Sequence, residues 1–141
     1  MNQKALKYAI SFIPALAASA SIATAHHFEQ NFLFFLIPQS FIVTLLFLLP
    51  QRPTISHASS IALALHLLIF NYWLAHNPTD DDALVWAVGY LFALPGSIVG
   101  ALISSLMLHE NKVNSPAKIF MLCFSLTAVG LIINQIVIFK T

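Results

Sequence analysis

The sequence predicts an all-α integral membrane protein, a bundle of five transmembrane helices with the amino terminus in the cytoplasm and the carboxyl terminus outside. Three observations carry that expectation. Only 8% of the 141 residues are charged and 59% are hydrophobic, whereas a soluble domain carries roughly 25% charged residues; the mean hydropathy is +0.85. The charges collect in short gaps between five apolar runs, each near the about 20 residues that cross a bilayer as a helix. The runs also lack the period-2 alternation of a membrane barrel, so each must satisfy its own backbone groups as a helix.

The expected spans are residues 5–25, 31–50, 55–75, 83–107 and 116–139, making one transmembrane domain over 1–141. Lys4, Lys7, Arg52, Lys112 and Lys118 fall on one side if the helices alternate. Glu29, Asp80, Asp81, Asp82 and Lys140 fall on the other. Lysine and arginine stay cytoplasmic, which sets the orientation and points to a bacterial-type inner (plasma) membrane. Tyr72, Trp73 and Trp86 sit near the outer boundary, where aromatic anchors collect.

Each run has its own signature. The first follows Lys4 and Lys7, holds Pro14, and carries small residues from Ala15 to Ser21. The same stretch also reads as a secretory signal, with Tyr8–Ala17 as its apolar region and Ala23-Thr24-Ala25 as a small-residue cleavage site; the retained helix is the expectation here. The second places Pro38, Gln39 and Ser40 near mid-membrane. The third has small or polar residues on two faces: Ser59, Ala62, His66 and Trp73 on one, His57, Ser60, Ala64 and Asn71 on the other. Two such faces predict a helix surrounded by protein, the most buried of the five. The fourth shows two small-residue tracks, Gly96-Gly100-Ser104 and Ala93-Ser97-Ala101-Ser105, and contains Pro95. The fifth opens on Ser115 as an N-cap with Pro116 in the first turn.

Composition excludes several functions. A net charge of +1 with a pI near 8.0 offers nothing to nucleic acid. The single cysteine, Cys123, has no internal disulfide partner. No Gly-rich phosphate loop, G-x-S-x-G elbow, H-E-x-x-H pair or C-x-x-C pair is present, so no catalytic constellation and no cofactor are expected. A Ser–His pair drawn from His66 with Ser40 or Ser97 carries little weight in a serine-rich bundle.

Three groups of residues remain as candidate sites. Gly96, Gly100 and Ser104 form either a partner face or an internal helix-packing face, since close backbone approach is how helices associate in lipid. Asp80, Asp81 and Asp82 would extend a partner face to the outer rim. Gln39, His66 and Ser97 lie at mid-depth, close to carbonyls that Pro14, Pro38 and Pro95 leave without a helix donor, and form a possible ligand site. His26, His27 and His76 are a weak outer metal candidate, because their spacing matches no ligand motif. The functional expectation is a non-catalytic protein that binds another membrane protein, as an accessory subunit or immunity-type factor, with the lipid bilayer and a protein partner or second copy as its contacts. The alternative is a small oligomeric transporter or channel built around Gln39, His66 and Pro95–Ser97.

Overall fold

A computed structural model describes residues 3–25, 32–48, 53–76, 89–111 and 115–140. The described residues are helical almost throughout. Helix α1 spans Gln3–Ala25, α2 Phe32–Leu48, α3 Pro53–His76, α4 Pro95–Asn111 and α5 Pro116–Lys140. Residues 89–93 form a further helical piece just before α4. The ends of α1, α2, α3 and α5 fall within a few residues of the expected runs; the expected start of the fourth run, residue 83, lies outside the described residues, and that segment is interrupted at Leu94.

Three helical segments are long and apolar enough to cross a membrane: Pro53–Trp73, Gly89–His109 and Pro116–Ile138. The apolar stretches within α1 and α2 are shorter, Ala9–Ser21 and Phe35–Leu46. The bundle's outside is apolar, with Ile13, Ile37, Phe41, Ile69, Phe92, Leu106, Met121 and Ile133 all turned outward. Water would not tolerate so extensive an apolar surface on a monomer; hydrocarbon would.

α3 is the axis of the bundle and touches all four other helices. Its apolar span is 61% buried, against 44% for Gly89–His109 and 17% for Pro116–Ile138. The two polar faces read from the sequence meet different neighbours. Ser59 Oγ lies 3.0 Å from Thr127 Oγ1 of α5. On the other face, Ser60 Oγ donates to the Ser11 carbonyl of α1, and Ser11 Oγ lies 2.5 Å from His57 Nδ1. A carbonyl oxygen has two lone pairs, so the Ser11 carbonyl can accept from Ser60 in addition to its own helix.

The apolar core has two parts. The larger joins Ala18 of α1, Ile42, Val43 and Leu46 of α2, Leu63, Leu67 and Phe70 of α3, Tyr90, and Leu131 of α5. The smaller lies between the start of α3 and the α4–α5 end, with Ile55, Ala58, Leu108, Ile119 and Cys123.

α4 and α5 form the closest pair. A Cβ on Gly96 would overlap the Gly130 carbonyl and stand 2.9 Å from Asn134 Cβ, and a Cβ on Gly100 would overlap the Leu126 carbonyl and stand 2.8 Å from the Thr127 Cα. Ser104 is fully buried and its hydroxyl returns to the Gly100 carbonyl at 2.7 Å. The Gly96-Gly100-Ser104 track therefore packs against this chain's own fifth helix. α5 begins as its sequence indicates: the Ser115 carbonyl accepts from the Ile119 N–H at 3.0 Å, the first bond of a helix capped at Ser115.

Candidate functional site: a buried polar layer at Tyr90

α1 and α2 run through Pro14 and Pro38 without a break, whereas the fourth segment stops at Leu94. There the Leu94 N–H turns back to the Leu91 carbonyl at 3.2 Å, and the Ser97 N–H reaches the Leu94 carbonyl at 2.9 Å. Ser97 Oγ donates to the same carbonyl at 2.6 Å. Pro95 thus occupies the first turn of a new helix, the position where its missing N–H costs nothing. The Ala93 carbonyl is left over, because Ser97 has bonded one residue short of helical register, and the Phe92 carbonyl lies beside it at the break. Asn134 of α5 supplies their donor: its Nδ2 lies 2.5 Å from the Phe92 oxygen and 3.3 Å from the Ala93 oxygen. In hydrocarbon such carbonyls have no water to turn to, so Asn134 stabilises the break. The absence of a side chain at Gly96 admits it.

The short helix 89–93 carries Tyr90, which is fully buried. Phe35 of α2 meets its ring edge-on at 5.8 Å, Phe70 of α3 lies tilted at 5.5 Å, and the His66 ring stacks at 5.6 Å with an interplanar angle of 20°. Gln39 of α2, also fully buried, donates from Nε2 to the Tyr90 hydroxyl at 3.2 Å. Two helices, α2 and α3, therefore converge on one phenol.

The layer's hydrogen bonding is incomplete. Gln39 Oε1 and His66 Nε2 are both buried and have no hydrogen-bond partner, and neither has Ser19 Oγ of α1. Reversing the Gln39 amide would pair Oε1 with the Tyr90 hydroxyl but strand Nε2, so one end of the amide is unmatched either way. Ser19 belongs to the same level of the bundle. The short connections from α1 through α2 to α3 make α1 and α3 run the same way, and Ser11 is paired with His57 and Ser60. That register sets Ser19 level with residues 65–68. Buried polar groups with no partner are rare and costly, and more so where no water can reach.

Gln39 and His66 were expected at mid-depth from sequence and are brought together through Tyr90. Ser97 is not part of the layer; its hydroxyl donates to the Leu94 carbonyl at the start of its own helix. Asp80, Asp81, Asp82, His26 and His27 lie outside the described residues. His76 ends α3 with Nδ1 on the Tyr72 carbonyl at 2.8 Å. Sequence reasoning missed Tyr90 and Asn134 as site residues. Asn134 carried a readable signal, an amide inside an apolar run whose length demands a buried partner. Buried polar side chains among the described residues are serine, threonine and glutamine, joined by the Tyr90 phenol, so these groups offer hydrogen bonds without full charge. No protein-family model, no curated protein and no solved structure matches this chain.

Proposed function

We propose that this chain is a multi-pass protein of a bacterial-type inner membrane, with five spans, the amino terminus cytoplasmic and the carboxyl terminus outside. Its work is non-catalytic: it binds a polar solute at the Gln39–Tyr90–His66 layer and lets it cross, as a small transporter or channel does. One observation carries this reading. Gln39 is fully buried and its amide is only half matched, beside a helix broken at Leu94. Intramembrane polar groups are costly and face the bundle interior where they serve a pathway, and broken helices recur at the solute sites of transporters. The bland alternative, a bundle that merely satisfies its own kinks, accounts for Asn134 but leaves Gln39 Oε1, His66 Nε2 and Ser19 Oγ unexplained.

The test is solute entry into vesicles reconstituted with the purified protein, compared with Gln39→Ala and His66→Ala. The reading requires entry above that of empty vesicles, slowed by both substitutions. Entry that survives both would remove it.

A second reading keeps the protein as a binder of another membrane protein, an accessory subunit or immunity-type factor, or of a second copy. The Gly96-Gly100-Ser104 face is occupied by α5, so the contact would have to lie elsewhere. The observation that favours it is the low burial of the α5 span, 17%, with Met121, Val129, Ile132 and Ile136 turned outward. Lipid covers such a face equally well. Co-purification of a stoichiometric partner from native membranes would raise this reading above the first.

A further inference from the structure

The atoms of the layer restrict what it can take. Gln39 Oε1 is an acceptor only, so whatever pairs with it must bring an N–H or O–H. A donor-free anion such as halide or nitrate could meet only a hydroxyl, the His66 ring or a reversed amide, with no buried Lys or Arg side chain among the described residues to replace its hydration. A bare cation would need several oxygens or a carboxylate in place of its water. The layer offers one amide oxygen, the Ser19 and Tyr90 hydroxyls and the His66 ring, and the buried polar side chains among the described residues include no Asp, Glu, Lys or Arg. Ser19 and His66 can each act as donor or acceptor, so a molecule carrying both kinds of group meets complementary partners.

Size is restricted by the same residues. Ser19, Gln39 and Tyr90 are all 0% exposed. The Tyr90 ring is already flanked by Phe35, His66 and Phe70 at centroid distances of 5.8, 5.6 and 5.5 Å. A planar aromatic ligand would find the rings' faces taken. A compact molecule of a few heavy atoms needs only the polar edge.

We infer that the layer at Ser19, Gln39, His66 and Tyr90 selects small uncharged solutes with both hydrogen-bond donors and acceptors, the class of small polyols and amides represented by glycerol and urea. This rests on the solute-crossing reading above and names its substrate class. Selection follows from desolvation: a neutral molecule exchanges its water for the unmatched groups of the layer, and an ion finds no charge to replace its hydration.

The experiment uses the full chain in vesicles of neutral lipid. Stopped-flow light scattering follows glycerol and urea entry after osmotic shrinkage, and separate fluorescence assays follow K⁺, Cl⁻ and proton flux. Glycerol or urea is expected to enter faster than into empty vesicles, with ion and proton flux at the empty-vesicle level. Gln39→Met keeps the side chain's length without its amide, and Tyr90→Phe keeps the ring without its hydroxyl. Each is expected to slow neutral-solute entry about tenfold, the worth of one good buried hydrogen bond. Ion flux that depends on Gln39, with no glycerol or urea entry, would overturn the substrate class and leave the crossing reading standing. No flux of any probe, or neutral-solute entry unchanged in both variants, would overturn both. If neither variant folds, the wild-type comparison of neutral solutes with ions still decides the class.

Discussion

Gly96 and Gly130 face each other across the α4–α5 contact so closely that a methyl group on either would overlap the other's carbonyl. Neither backbone can move alone, because Asn134 stands one turn beyond Gly130 and bonds the two carbonyls that precede α4. The glycine contact and the broken helix are thus one structure. The close approach carries the amide to the break, and the break gives the amide its partners.

Gly130→Ala and Gly100→Leu are therefore expected to destabilise the bundle itself. Both meet main-chain atoms with no flexible side chain to yield, so overpacking of about 1–3 kcal/mol is expected for the alanine and more for the leucine. Unfolding of the purified protein in mixed detergent micelles measures it. Full stability in Gly100→Leu would show that α4 and α5 are not in contact at this point.

Asn134→Leu preserves bulk and removes the donor to Phe92 and Ala93. Two carbonyls in an apolar setting would be stranded, at a cost of about 1–3 kcal/mol for an unsatisfied group. The change is also expected to speed hydrogen exchange at the amides around residues 89–97 while leaving α1 unchanged. Uniform exchange across the bundle would mean that Asn134 acts on global stability and not on the break.

Ser11 Oγ and His57 Nδ1 make a side-chain link between α1 and α3. A double-mutant cycle with Ser11→Ala and His57→Phe is expected to give a coupling near about 0.6 kcal/mol, and no more than about 1.7 kcal/mol, the range found for side-chain hydrogen bonds between membrane helices. A coupling of zero would mean that the pair only marks proximity.

Much of this architecture was readable in the residues. Helix positions followed from the length of each apolar run, and the cap at Ser115 with Pro116 followed from local backbone chemistry. The central place of α3 followed from polar residues on two faces, since a helix bounded by lipid on one side has no use for both Ser59 and Ser60. The small-residue track announced a close contact but not with whom; spacing fixes which face is bare, and the chain's topology fixes what covers it. The break at Leu94 was not readable. Pro14 and Pro38 look the same in sequence and lie in unbroken helices. What distinguishes Pro95 is a donor 42 residues from Phe92 along the chain, together with Gly96 and Gly130, and local pattern holds no record of that meeting. Depth placed Gln39 and His66 at one level, but their common neighbour Tyr90 reads in sequence as one more aromatic in an apolar run.

Everything proposed for the polar layer depends on α3 and α5 threading a membrane with opposite ends of the bundle in different compartments. Single cysteines at His76, the exposed end of α3, and at Ser115, the exposed cap of α5, placed in a Cys123→Ala background, test this with a membrane-impermeant thiol reagent on intact spheroplasts. The account predicts that His76→Cys reacts at once and that Ser115→Cys reacts only after the membrane is opened. Reaction of both positions in intact spheroplasts, or protection of both, would contradict it.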